Sequence, residues 1–406
     1  MFERRIPEWL RHAPNPSVRG FAFLAGFEAI ARGILVSVFP VALYESLKNA
    51  SLVSSVYFAI GIISLFVGLF VPFLNKFVPR RILYLMGAFA YTLGSSLAIY
   101  GSEYFLVLGL LFNTLATVIT FVCFNAYVLD YISRIDLGKC ETLRMFYSAL
   151  GWTIGPVLGI YLWKFWEPLP FFISMVAAFG LLAGFLYMRL GDGKLITKAK
   201  APAVNPLSYV GRFFEQPRLV SGWLFAVVRS CGWWAYVVYL PIFALENGLG
   251  DRLGGICLSI TNAGLLLAPL MLRWMQKKSV KIAVRTGFLM SALAFVSASI
   301  LGALPWSTVL LLFLGSYFLI LLDICAGLPF LMAVKPSERT EMSAIYASFR
   351  DVSGVLTPGF AWVILLFAPI SGIFFAAGLA CISSWFIAGR LHPRLGQKRL
   401  TYQKID

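Results

Sequence analysis

Acidic residues, charge as a whole and histidine are all scarce in this sequence. Asp and Glu account for 18 of the 406 residues, charged residues of both signs make up 13%, and there are two histidines. A soluble chain carries about twice that share of charge, so a water-soluble globular protein is excluded. His12 and His392 both fall outside the apolar runs. Because first-row metals usually bind histidine, metal transport is a minor alternative, indicated only by the closely spaced Asp323 and Cys325.

Signatures of catalysis and of redox chemistry are also missing. There is no Walker phosphate-binding loop and no matched nucleophile and base, so we expect neither ATP-driven transport nor an enzyme. The six cysteines show no CxxC spacing and fall mostly inside apolar runs, where they are expected to be small buried hydrophobic residues. No cofactor is expected.

Apolar residues are abundant, at 60% of the chain, and the net charge is +16. Apolar runs of about 20 residues recur from end to end, each long enough to cross about 30 Å of hydrocarbon. The first run is too long for a signal peptide, so it is expected to be retained. The sequence therefore predicts an all-α membrane protein with twelve transmembrane helices. They are 18–44, 51–74, 82–100, 104–131, 145–165, 169–189, 219–245, 253–274, 283–303, 308–334, 342–367 and 370–389.

The basic residues predict the orientation. With the N-terminus in the cytoplasm, 28 of the 34 Lys and Arg residues fall in cytoplasmic segments. Only Lys48, Lys164 and Arg252 fall in outside loops. This bias places both termini in the cytoplasm, and the short loops indicate a prokaryotic inner membrane. Since the charge is spread over short loops, no nucleic-acid partner is expected, and we expect a monomer in the lipid bilayer.

A polar central segment divides the spans into six and six. The predicted domains are an N-terminal six-helix bundle (1–190), a cytoplasmic central loop (191–218), a C-terminal six-helix bundle (219–390) and a cytoplasmic tail (391–406). At an offset of 201 residues, "FPVALYE" falls on "LPIFALE", which indicates an internal repeat. Two related halves predict a substrate site between them near the middle of the membrane.

Two motifs resemble those of the major facilitator superfamily. The loop between spans 2 and 3 reads "VPFLNKFVPRR" (71–81), in which only Arg80 and Arg81 match the family's signature well. In span 5, "GWTIGPVLG" (151–159) resembles a motif of the family's proton-coupled antiporters, many of them drug exporters. The matching residues are Gly151, Gly155, Pro156 and Gly159. The resemblance implies two pseudo-symmetric bundles and proton-coupled export, with plain tight packing as the alternative interpretation of the glycines.

Charges inside the predicted spans are candidate functional groups, because each costs at least a few kcal/mol in hydrocarbon. Glu28 and Arg32 share one helix face and could neutralise each other. The 201-residue offset places Glu28 on Arg229. The family resemblance implies that the first helix of each half lines a central cavity, so we expect these two residues to face each other across it. Asp323 has no partner near it in sequence. For Asp323 the structural alternatives are a pair with Arg350 or a cap at a helix break.

These charges suit proton coupling. A carboxyl group in a low-dielectric cavity holds its proton more tightly, whereas a nearby guanidinium favours the ionised form. Glu28 and Asp323 are therefore the proton-coupling candidates, with a purely structural ion pair as the alternative for Glu28. Arginine stays charged, amides within spans need partners, and aromatic rings can stack on a flat substrate. The substrate-binding candidates are Arg229, Arg32, Asn125, Trp233, Tyr236 and Asn262.

A further set of charged residues near the span ends is predicted to act in gating. In the family that this chain resembles, an acid at the position of Asp130 braces the arginines of the 2–3 loop. Arg350 and Asp351 point in different directions on their helix, so they do not pair with each other and one of them is expected to meet another helix. The gating candidates are Arg80, Arg81, Asp130, Arg134, Glu141, Arg144, Arg350 and Asp351.

The predicted function is export of a small amphipathic or aromatic organic molecule in exchange for protons. Uptake of an organic anion or zwitterion by proton symport is the alternative. A membrane scaffold or sensor is less favoured, because it has no need of buried charges in both halves. The expected partners are the organic substrate, protons and lipid.

Overall fold

The computed structural model describes residues 17–74, 77–132, 137–188, 210–335, 342 and 345–392. All regular structure in these ranges is helical. The first seven helices are α1 (Val18–Gly33), α2 (Val38–Leu47), α3 (Ala50–Leu74), α4 (Arg80–Ile99), α5 (Glu103–Tyr131), α6 (Leu137–Phe165) and α7 (Leu169–Tyr187). The others are α8 (Val210–Phe214), α9 (Pro217–Trp234), α10 (Leu240–Glu246), α11 (Arg252–Ala263), α12 (Ala268–Lys278), α13 (Val280–Ile300), α14 (Pro305–Cys325), α15 (Leu328–Ala333), α16 (Phe349–Ile364) and α17 (Ser371–Ala388).

Eleven helical stretches within the described ranges are long and apolar enough to cross a membrane. They coincide with the first ten predicted spans and the twelfth. The eleventh predicted span contains α16, and several residues just before α16 lie outside the described ranges. The all-α membrane architecture is confirmed, and a count of twelve helices is consistent with it.

The chain divides into two compact units, Met1–Ala203 with Gly250–Asn262, and Val204–Leu249 with Ala263–Asp406. In the first unit, α1 packs on α6 and α7, and α4 packs on α5 and α7. In the second, α9 packs on α16 and α17, and α13 packs on α14 and α17. Within each unit, the first span thus meets the fifth and sixth, and the third meets the fourth and sixth. The sequence repeat reappears as a repeated packing pattern, while the exact domain boundaries stay a prediction.

The first span of each unit is interrupted just before a proline. The chain turns between α1 and α2, and Pro40 lies in the first turn of α2. A π-helical turn, Ala235–Tyr239, separates α9 from α10, whose second residue is Pro241. Proline has no N–H to donate to the carbonyl four residues earlier. The regular α-helical hydrogen bonding of each span is therefore interrupted about one turn before its proline. The interruptions lie next to the charged positions of both spans.

Aromatic side chains fill the core of each unit. In the first unit, Tyr84 of α4 stacks on Phe185 of α7 with ring centroids 4.2 Å apart. In the second unit, Phe330 of α15 stacks on Tyr346 at 4.0 Å. These cores fix the helices that carry the charged residues.

Candidate substrate and coupling site

The first unit carries an ion pair on α1. Arg32 Nη1 donates a hydrogen bond of 3.2 Å to Glu28 Oε1. The guanidinium carbon of Arg32 also lies 5.2 Å from the centre of the Trp152 ring on α6. The Arg32 side chain is 34% exposed and that of Glu28 is 16% exposed. The predicted self-neutralising pair is therefore formed, and the arginine is its more accessible member.

The second unit carries an ion pair between α9 and α14. Asp323 Oδ1 lies 3.1 Å from Arg229 Nε, and Trp233 Nε1 donates a hydrogen bond of 3.0 Å to Asp323 Oδ2. The Arg229 contact lacks the alignment of a hydrogen bond, so its attraction is electrostatic. The guanidinium carbon of Arg229 lies 5.1 Å from the ring centre of Phe349. Asp323 is 37% exposed and Arg229 only 13%, so here the carboxylate is the more accessible member.

The partner of Asp323 was not found from the sequence. Sequence reasoning weighed Arg350 as a partner, but the structure pairs the carboxylate with Arg229. The guanidinium carbon of Arg350 lies 5.7 Å from the centre of the Phe349 ring. The internal repeat did point to Arg229 and Trp233 as the polar positions of the second unit. The offset that places Glu28 on Arg229 also places Arg32 on Trp233. The same two positions of the first helix carry the polar groups in both units.

The aromatic candidates of span 7 differ in accessibility. Trp233 is partly exposed, whereas Tyr236 is only 1% exposed. Their rings meet edge to face with centroids 6.1 Å apart. In this conformation Trp233 can meet a ligand, and a contact from Tyr236 stays a prediction.

The glycines of the span 5 motif let α6 approach α1 closely. A Cβ atom on Gly151 would lie 2.7 Å from the Ala29 carbonyl carbon, and one on Gly155 would lie 2.6 Å from that of Gly33. A Cβ on Gly159 would collide with the carbonyl oxygen of Ile34. The motif therefore serves backbone-to-backbone packing.

Pro156 removes a backbone hydrogen bond from α6, and side chains of α11 bond to the backbone groups that are left free. Because Pro156 has no N–H, the carbonyl of Trp152 loses its helical donor. Asn262 Nδ2 donates to this carbonyl at 2.7 Å. The next amide, Val157 N–H, donates to Ser259 Oγ at 3.0 Å. Asn262 is thus engaged by the backbone, and its predicted contact with substrate stays a prediction.

A three-residue ionic cluster at one end of the first unit was not singled out from the sequence. Lys164 Nζ lies 2.9 Å from Glu45 Oε1 and 2.7 Å from Asp251 Oδ2. The nearby guanidinium of Arg252 stacks over Tyr161 at 4.7 Å. The available signal was that Lys48, Lys164 and Arg252 are the sole basic residues of the predicted outside loops.

Comparison with known proteins identifies the family. A sequence profile of the Major Facilitator Superfamily matches residues 21–358, well over half of the chain. The chain belongs to the major facilitator superfamily. It is therefore a membrane-embedded secondary transporter and not an enzyme.

Solved structures of this superfamily share the fold. The nucleoside transporter NupG superposes with a TM-score of 0.69 at 12% identity, covering 92% of this chain and 98% of that one. A POT family transporter in complex with 5-aminolevulinic acid gives 0.72 at 14% identity, covering 91% and 94%. At such identities these likenesses establish the fold alone. No curated protein sequence matches the chain.

The superfamily's signature loop is only partly visible here. The guanidinium carbon of Arg80 lies 5.5 Å from the Tyr127 ring, and Arg81 follows it in the first turn of α4. Arg134 lies outside the described residues, and so do the side chains of Asp130 and Glu141. Their gating roles stay predictions.

Arg144 and Asn125 form one polar contact within the first unit. Arg144 Nη2 donates to Asn125 Oδ1 at 3.3 Å, and its guanidinium carbon lies 4.6 Å from the Phe124 ring. Arg144 was predicted to belong to a cytoplasmic network and Asn125 to contact substrate. The structure brings the two side chains together, and both roles stay predictions.

Proposed function

We propose that this transporter exchanges protons for a small amphipathic or aromatic organic molecule, and that it works in the direction of export. The observation that carries the proposal is the accessible, ion-paired carboxylate of Asp323, held by Arg229 and Trp233 on an otherwise apolar span. An exposed charge at this depth is expected to face water and a ligand and not lipid. Glu28 and Asp323 are the proposed proton carriers, and Trp233 supplies the aromatic surface.

The exposure of the two partners favours exchange. Asp323 is more accessible than Arg229, so a molecule with a basic nitrogen would meet the carboxylate first. A proton and such a substrate then compete for the same oxygens. Antiport requires such competition for one site. The protein then changes between its two membrane-facing states with either a proton or the substrate bound, but not with both.

A second candidate function follows from the arginines of the second unit. The guanidinium groups of Arg229 and Arg350 both approach the ring of Phe349. Protonation of Asp323 would release Arg229, which stays charged and could then hold an anionic group. Proton and substrate would bind together, as in symport. Uptake of an organic anion or zwitterion is therefore the alternative.

The same reasoning extends to the first unit. There Arg32 is the more accessible member of its pair and stacks on Trp152. We expect Arg32 and Trp152 to contact the body of the substrate, while Glu28 is the proposed proton carrier of this unit. Both termini are proposed to be cytoplasmic, in a prokaryotic inner membrane.

The test uses purified protein in sealed liposomes with a pH-sensitive dye inside. Organic cations, zwitterions and anions are added one at a time to wild type, Asp323→Asn and Glu28→Gln. Glu103→Gln is the matched control, because Glu103 is an exposed acid in the first turn of α5. Antiport predicts proton movement opposite to a cationic compound, lost in Asp323→Asn and kept in the control.

The direction of the pH effect on binding separates the two candidates. For antiport, acidification weakens binding of the active compound, because protons compete for Asp323. For symport, acidification strengthens binding of an anion at Arg229. Proton-independent transport that survives in Asp323→Asn and Glu28→Gln would overturn proton coupling by these residues.

A further inference from the structure

An arginine near the start of α13 has an aromatic neighbour and lacks an acidic one. The guanidinium carbon of Arg285 lies 4.8 Å from the ring centre of Trp385 on α17. Within the described ranges, no carboxylate pairs with Arg285, and its Nε atom is buried without a hydrogen-bond acceptor. A cation close to hydrocarbon without a counter-charge is unfavourable. An anionic ligand beside this guanidinium would therefore be favourable.

The sequence on either side of Arg285 and of Trp385 is poor in acidic residues. Residues 252–322 contain six basic residues and no Asp or Glu, and residues 352–405 contain five basic residues and again no acid. Of the helices near Arg285, α12, α13 and α17 lie in these two acid-free stretches. The helix α14 also packs on α13, and its one acid, Asp323, is paired with Arg229. Lys277, Lys278 and Lys281 at the junction of α12 and α13 add positive charge.

Arg285 lies near the first residue of α13, at one end of a candidate membrane span. It lies five residues after the first residue of the helix, which is about 8 Å along the axis. Arginine side chains at such depths extend back towards the membrane surface. Ile282 and Phe386 are 44% and 65% exposed beside this site, and Trp385 is of the residue type that favours the interface. Charged and apolar surface therefore meet at one place.

We propose that Arg285, Trp385 and the lysines of the α12–α13 junction bind the phosphate group of an anionic phospholipid. The planar guanidinium can donate two parallel hydrogen bonds to phosphate oxygens, and stacking on Trp385 holds it in place. The lysines attract the anionic head group over a longer range. The acyl chains lie along the exposed Ile282 and Phe386, a contact that free phosphate could not make.

The experiment measures lipid binding to the full-length protein in detergent by native mass spectrometry. Phosphatidylglycerol, phosphatidylcholine and inorganic phosphate are titrated separately. Wild type is compared with Arg285→Gln and with Arg252→Gln, a matched control in which the lost arginine also stacks on an aromatic ring, Tyr161. We expect Arg285→Gln to weaken phosphatidylglycerol binding about fivefold, the factor that corresponds to ~1 kcal/mol for one basic residue. Arg252→Gln should leave binding unchanged.

Several results would overturn the proposal. Equal binding of phosphatidylcholine and phosphatidylglycerol would mean that no anionic site exists. Displacement of the lipid by inorganic phosphate would make the site one for free anions. An equal loss in both variants would indicate only diffuse charge attraction. If Arg285→Gln fails to fold, Arg285→Lys should keep part of the preference, and the wild-type preference should shrink at high salt. A salt-independent preference would count against an ionic site.

Discussion

Asn262→Ala should destabilise the first unit because Pro156 has left a carbonyl without its helical donor. The Asn262 amide donates to the Trp152 carbonyl at 2.7 Å, in place of the N–H that Pro156 lacks. Pro156→Ala would restore an N–H four residues after Trp152, where a regular helix bonds it. The effects of the two substitutions on stability are therefore expected to be coupled. Asn262 should contribute much less to stability once the backbone N–H of residue 156 donates to the Trp152 carbonyl.

The magnitude follows from the contact. Interhelical hydrogen bonds in membrane proteins contribute ~0.6 kcal/mol on average and up to ~1.7. A buried acceptor left without a partner costs ~1–3 kcal/mol. Asn262→Ala should therefore cost ~1–2 kcal/mol in the wild-type background and ~0.5 kcal/mol or less beside Pro156→Ala. The expected coupling energy is ~1 kcal/mol.

The assay is thermal unfolding in detergent for the four members of this double-mutant cycle. For a unit of this size, each 1 kcal/mol corresponds to about 2–4 °C in Tm. Asn247→Ala is the control, since Asn247 donates to the Phe243 carbonyl at 2.9 Å but lies exposed. It should shift Tm by less than 2 °C or so. An Asn262→Ala effect of equal size in both backgrounds would refute the account, because the amide would then not be replacing the missing helical bond.

Three further predictions follow from the same contacts. Gly155→Ala should lower Tm by several degrees, because its new Cβ would lie 2.6 Å from the backbone of α1, whereas Gly211→Ala, which meets nothing within 4 Å, should not. Lys164→Gln should lower Tm by only about 2–4 °C, and only at low salt, because its partly exposed ion pairs contribute ~1 kcal/mol at most; an equal loss at high salt would exclude that explanation. Trp233→Phe keeps an aromatic ring but removes the N–H that donates to Asp323. In liposome transport assays it should therefore shift the pH dependence of substrate transport. Trp306→Phe, at a 65% exposed tryptophan, should leave that dependence unchanged.

Much of the fold could be predicted because hydrophobic length is a local property. A helix in lipid satisfies its own backbone, so a run of about 20 apolar residues is sufficient to predict a span. Ten spans and the twelfth were placed correctly in this way. The Glu28–Arg32 pair could also be predicted, since residues four apart on a helix are neighbours whatever surrounds them.

The roles of Asn262 and Asp323 could not be predicted in the same way. Asn262 was singled out as a candidate substrate contact, and the sequence did not show that its amide donates to the Trp152 carbonyl. For Asp323, a pair with Arg350 was one structural alternative, and the carboxylate pairs with Arg229. Both contacts join residues far apart in sequence, and their hydrogen bonds and distances depend on how the helices pack.

The sequence by itself determined that this is a helical membrane protein with two related halves, because apolar length, charge bias and repeat offset do not depend on packing. It also determined that the backbone of α6 lacks one hydrogen-bond donor at Pro156, since a missing N–H is a covalent fact. Only the tertiary structure decided which side chain reaches the carbonyl that Pro156 leaves free, and which arginine holds Asp323. Those partners are chosen by which helix faces come within about 3 Å of each other, and that distance is a property of the packed chain.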